Sequence, residues 1–129
     1  MGKAKIVMGR LVSGLVVVLM LLDAAGKFMK PPQVVEAFTR LGVPISTAFL
    51  IGALLTASTV LYAIPRTEVL GAVLLTGYLG GAVAIHVRAG STLFETVFPA
   101  LFSVFAWIGI AVRRPEVRAV LTGHTGLRK

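Results

Sequence analysis

Residues 43–64, VPISTAFLIGALLTASTVLYAI, carry no charged side chain over 22 positions. As a helix rising about 1.5 Å per residue, such a run spans about 33 Å, enough to cross the hydrocarbon core of a bilayer. Its apolar residues run continuously and do not alternate with polar ones, which argues against a two-faced strand. In lipid, a continuous segment of this kind satisfies its own backbone hydrogen bonds only as a helix.

Working outward, three more segments read the same way. Residues 6–25 have an uncharged centre, 11–22, that is apolar except for Ser13 and Gly14. Residues 69–87 contain only Tyr78 and His86 as ionisable groups. Residues 96–112 lengthen into a span when Leu93 and Phe94 join them. The punctuation agrees. Pro31-Pro32 stops the first helix. Residues 33–42 place Val34, Val35, Phe38 and Leu41 opposite Glu36, Thr39 and Arg40, the pattern of a short amphipathic helix lying in the interface. Pro44 suits the first turn of the second span, and Thr67 its successor's N-cap. Gly90 ends the third span, Thr92-Leu93-Phe94-Glu95 reads as a capping box, and Pro99 marks a potential kink in the fourth. The expected fold is all-α: one membrane domain, 1–129, built as a four-transmembrane-helix bundle. Its spans cover about 6–26, 43–64, 68–88 and 93–112, with an interfacial helix at about 33–42 and a basic tail at 113–129. A signal peptide is the alternative for the first segment, but Asp23 falls where small neutral residues should precede a cleavage site.

Composition supports the same class. The chain is 57% hydrophobic and 14% charged, with a mean hydropathy of +0.92, against about 45–50% and about 25% in ordinary soluble domains. Disorder is excluded, and a soluble enzyme with a large polar site is disfavoured. There is no cysteine, which removes disulfides, thiolate nucleophiles, iron–sulfur ligation and Cys-based zinc sites. No metal-ligand cluster exists, and His86 and His124, on opposite sides of the membrane, do not make a haem site.

Thirteen Lys and Arg stand against five Asp and Glu, for a net charge of +8. Four spans leave both termini on one side. That side carries nine basic residues: Lys3, Lys5, Arg10, Arg66, Arg113, Arg114, Arg118, Arg128 and Lys129. The other carries four, Lys27, Lys30, Arg40 and Arg88. With Glu68 and Glu116 on the first side and Asp23, Glu36 and Glu95 on the second, the two sides sum to +7 and +1. The positive-inside rule puts both termini in the cytoplasm of a cell (inner or plasma) membrane, with the basic edge on anionic lipid headgroups. Flanking charges without interleaved exposed aromatics do not describe a nucleic-acid surface.

Small residues in the third span, Gly77, Gly80, Gly81 and Ala84, form spacings that admit a close helix neighbour. Packing within one chain is the plainer reading and homo-oligomerisation the sharper one. Gly9 with Ser13, and Ala53 with Ala57, offer the same chance elsewhere. Phe94, Phe98, Phe102 and Phe105 make a stripe for lipid, a neighbouring helix or an isoprenoid tail, and Tyr62 and Trp107 suit the inner aromatic belt. The polar groups with chemical potential gather at the outer end: Asp23, Lys27, His86, Arg88 and Glu95, with Tyr78 deeper on the third span. Asp23 and Lys27 are spaced for an i,i+4 ion pair. This set is either a self-neutralising rim or a site for a quinone or lipid headgroup.

The run Thr76-Gly77-Tyr78-Leu79-Gly80-Gly81-Ala82-Val83-Ala84-Ile85-His86-Val87-Arg88 resembles the third-helix signature of DoxX-like membrane proteins. Residues 10–13, Asp23-Ala24-Ala25-Gly26-Lys27-Phe28 and Gly42-Val43-Pro44 resemble the flanking parts of that family. The resemblance implies a compact four-helix membrane bundle. It also implies a component of a quinone-linked or redox-associated system, with a lipophile at the outer rim or a partner redox subunit at its side. Without cysteine, any redox role rests on a bound quinone, a partner or another cofactor. Two other classes compete: a small proton-coupled transporter, disfavoured because Asp23 lies near a helix end, and a non-catalytic membrane anchor.

Overall fold

A computed structural model of the protein describes residues 2–123; His124, Arg128 and Lys129 lie outside the described residues. Six α-helices follow one another. They are α1 (Gly2–Met29), α2 (Pro32–Leu41), α3 (Ala48–Ala63), α4 (Glu68–Ala89), α5 (Leu93–Arg113) and α6 (Pro115–Thr122). A one-turn 3-10 segment, Ile45–Thr47, leads into α3.

The long helices form a ring in which α1 packs on α3, α3 on α4, α4 on α5 and α5 on α1. Four helical stretches have the length and apolar character to cross a membrane: Gly2–Met29, Ile45–Ala63, Glu68–Ala89 and Leu93–Arg113. Large apolar side chains cover the outside, among them Leu11, Leu15, Leu22, Phe49, Leu50, Val73, Phe94 and Val104, all more than half or nearly half exposed. In water, a surface so continuously apolar would be an aggregation hazard; for a multi-pass membrane protein it is the face a bilayer covers. The interior is narrow. Val16, Met20, Leu55, Leu75, Leu79 and Ile110 fill it, together with Ala24, Ala72 and Ala106.

Helix ends follow the local chemistry. Gly42, at φ 72°, turns the chain out of α2, donating to the Thr39 carbonyl while Val43 donates to that of Phe38. Phe38 is the buried residue of α2, as its amphipathic pattern requires. The capping box forms at α5: Glu95 N–H donates to Thr92 Oγ1, and Thr92 N–H donates to Glu95 Oε1. α5 continues through Pro99. One expectation is corrected. Pro44 lies outside α3 and precedes the 3-10 turn, whose Thr47 hydroxyl and amide both return to the Pro44 carbonyl. Thr67 occupies the N-cap position of α4 as expected, its carbonyl accepting from Gly71 N–H, but its side chain makes no cap hydrogen bond and donates backward to the Leu61 carbonyl, which tightens the α3–α4 turn.

The small residues that close the bundle are not the four singled out on the third span, Gly77, Gly80, Gly81 and Ala84. A Cβ on Gly71 would collide with the backbone of Leu61 and Tyr62, and one on Gly109 with the Ser13 side chain and, at 3.2 Å, the Gly9 carbonyl. Gly9 is likewise occupied from the other side, by Arg113 Cγ at 2.5 Å and the Gly109 carbonyl at 2.8 Å. α1 and α5 therefore cross where Gly9 and Ser13 meet Gly109 and Arg113. Gly77, Gly80, Gly81 and Ala84 are exposed, and Cβ atoms on the three glycines would meet nothing within 4 Å. Packing within one chain is thus not their role.

Candidate functional site

One end of the ring, here called proximal, holds the first third of α1, the α3–α4 turn and the C-terminus of α5. Glu68, the first residue of α4, is buried there. Two arginines at the end of α5 reach it: Arg113 Nη2 donates to Glu68 Oε1 at 3.0 Å, and Arg114 Nε lies 2.8 Å from Glu68 Oε2. Arg113 Nε also donates to the Gly109 carbonyl, which orients its guanidinium across the bundle. Arg113 Nη2 further donates to Ser13 Oγ at 3.2 Å, and Ser13 lies 2.8 Å from the Tyr62 hydroxyl. Tyr62 gives its proton to the Ala106 carbonyl at 2.7 Å, so Ser13 is the donor to Tyr62. The result is a directed chain, Arg113 to Ser13 to Tyr62 to Ala106, that ties α5, α1 and α3 together. Such chains strengthen one another in low dielectric surroundings.

Against this network opens a cleft of about 370 Å³. Its polar wall is Arg10, Ser13, Tyr62, Glu68 and Arg113; its apolar wall is Gly14, Val17, Val18, Ala63 and Pro65. Polar groups sit near the helix ends and apolar ones deeper along α1, where Val17 lies about 10 Å along the axis from Arg10. A molecule with a polar head and an apolar tail matches that gradient.

The opposite, distal end carries the residues singled out from sequence. The structure pairs them locally and does not gather them into one cluster. Asp23 and Lys27 form the expected ion pair, 2.7 Å apart. Glu95 pairs with Arg40 of α2 at 3.4 Å, both side chains being largely solvated. His86 Nδ1 is hydrogen-bonded to Ser91 Oγ at 2.9 Å, across the glycine turn that ends α4. Arg88 approaches Gly42. Tyr78 is half-buried against the core. Phe94, Phe98 and Phe102 stack on one another, with centroids 5.2 and 4.9 Å apart.

Sequence reasoning placed Tyr62 in an interfacial belt; it is only 2% exposed and belongs to the proximal network. It treated Arg113 and Arg114 as headgroup contacts, whereas both are held by Glu68. The signal was present: Glu68 and the arginine pair fall on the same side of the bundle, and Gly9 with Ser13 marks a close crossing. Trp107 donates to Thr76 Oγ1 at 2.7 Å, stapling α5 to α4. Residues 115–122, part of the expected tail, form α6, where Arg118 Nη1 donates back to the Ala111 carbonyl. Among the described residues no group of three or more His, Cys, Asp or Glu side chains could hold a metal ion.

Four apolar spans around a small core, with charge confined to their ends, define a multi-pass helical membrane protein. More narrowly, the chain matches the DoxX-like family over residues 11–109, over three quarters of its length, and it belongs to that family. No curated protein and no solved structure matches it.

Proposed function

We propose that this DoxX-like protein is an amphiphile-binding membrane subunit, seated in the cell membrane with both termini in the cytoplasm. The observation that carries the reading is the proximal cleft, whose walls grade from guanidinium, hydroxyl and phenol groups to valines. The amphiphile can be neutral, such as a quinone whose carbonyl accepts from Arg113, or charged. Binding of a quinone, with a partner redox subunit alongside, is the form that would serve a redox-associated system. The excess of basic residues on the terminal side supports the orientation.

The distal rim, with Asp23, Lys27, Tyr78, His86, Arg88 and Glu95, is the second candidate; its strongest charges already neutralise one another in pairs. A proton-coupled transporter has less support. It needs a carboxylate free to load and release a proton, and the buried carboxylate, Glu68, is held by two guanidinium groups.

Gly14 lines the cleft, and a Cβ there meets nothing within 4 Å, so a side chain can leave the backbone at this position and Gly14→Phe adds bulk at the cleft wall. Wild-type and Gly14→Phe protein are extracted from native membranes in mild detergent, and co-purifying lipophiles and proteins are identified. A lipophile retained at near-unit stoichiometry by the wild type and lost from the variant, at equal helix content and melting temperature, is the expected result. Identical lipophile content in both proteins overturns the reading.

A further inference from the structure

Charge balance at the proximal cleft narrows the class of ligand. Three arginines and one carboxylate meet at this end: Arg113 and Arg114 both engage Glu68, and Arg10 lies on the cleft wall with no ion pair among the described residues. The cluster carries a formal excess of two positive charges. Arg113 is mostly shielded, with 13% of its side chain exposed, and its Nη1 makes no hydrogen bond among the described residues. Arg10 and Arg113 line the same cleft, so both guanidinium groups belong to one mouth. Uncompensated charge beside apolar walls is costly, and an anion entering there removes that cost. Arg113 Nε and Nη2 are already engaged, which leaves Nη1 to donate, while Arg10 keeps a guanidinium without an ion pair for the paired oxygens of a phosphate.

We infer that the cleft takes an amphiphile whose phosphate headgroup carries net negative charge: the phosphate bridges Arg10 and Nη1 of Arg113, and an acyl chain runs over Val17 and Val18. This rests on the amphiphile-binding reading above and adds the sign of the headgroup charge. The same phosphate chemistry is offered by an anionic phospholipid and by inorganic phosphate, and the tail-matching valines favour the lipid.

The full-length protein is placed in nanodiscs of phosphatidylcholine containing a minority of phosphatidic acid, phosphatidylglycerol or ubiquinone, and bound molecules are counted by native mass spectrometry after gentle release. Wild type retains one anionic phospholipid in preference to phosphatidylcholine. Arg10→Gln, an exposed position that leaves the Glu68 pairs intact, lowers that preference about fivefold, the size expected for loss of one cation–phosphate contact. Arg10→Lys restores much of it, which separates charge from folding. Gly14→Phe abolishes retention. Millimolar inorganic phosphate leaves the lipid in place; if phosphate alone displaces it, the anion site stands and its occupant is the free ion. Retention of phosphatidylcholine or ubiquinone equal to that of the anionic lipids, lost in Gly14→Phe, overturns the charge assignment while sparing the amphiphile reading. Equal retention of every lipid by wild type and Gly14→Phe overturns both.

Discussion

Glu68 and Arg113, on neighbouring helices and 45 residues apart in the chain, pair at 3.0 Å with 5% and 13% of their side chains exposed. Removing one partner of such a pair leaves the other charge stranded, at a typical cost of about 3–5 kcal/mol. Glu68→Gln should therefore lower the thermal stability of detergent-solubilised protein sharply. Glu68→Gln combined with Arg113→Gln should recover part of the loss, a coupling that a double-mutant cycle of melting curves measures. Additive losses would show that the pair contributes nothing as a pair.

Tyr62 and Tyr78 make a contrast within one bundle. The Tyr62 hydroxyl bonds Ser13 and the Ala106 carbonyl, and Tyr62→Phe should cost about 1 kcal/mol per hydrogen bond lost. Tyr78 has no hydrogen bond from its hydroxyl among the described residues, and Tyr78→Phe should leave unfolding unchanged. Equal effects in parallel unfolding titrations would contradict this difference.

Glycines of the two kinds should respond in opposite directions. Gly109→Ala forces α1 and α5 apart at Ser13 and Gly9, and overpacking of this kind costs about 1–3 kcal/mol. Gly80→Ala faces open space and should stabilise α4 by up to about 1 kcal/mol through helix propensity. If α4 is the contact face of a homo-oligomer, Gly80→Ala instead shifts the protein toward monomer, which light scattering in detergent detects.

Orientation is tested directly. Alkaline phosphatase fused after residue 129 should be inactive, and green fluorescent protein at the same point should fluoresce. Active phosphatase there would reverse the assignment made from the nine-to-four distribution of basic residues.

The uncharged runs of residues 43–64 and 69–87 dictated helices, spans and their number, because a backbone in lipid has no other partner than itself. The capping box at Thr92 and Glu95 and the Asp23–Lys27 pair were legible for the same reason: each depends on residues three or four apart. The proximal network was not legible, since Ser13, Tyr62, Glu68 and Arg113 come from four helices and meet only once the ring closes. Charge counting sees an arginine at a helix end; it does not see which carboxylate lies across the bundle. Small-residue spacing likewise marks where helices can approach, whereas the direction each face turns decided that Gly9, Gly71 and Gly109 do the packing and that Gly77, Gly80 and Gly81 face outward. The sequence determined the class of protein through local and one-dimensional constraints. Tertiary packing alone moved the best-built polar site from the distal rim to the proximal cleft, because burial and pairing are properties of helices in contact.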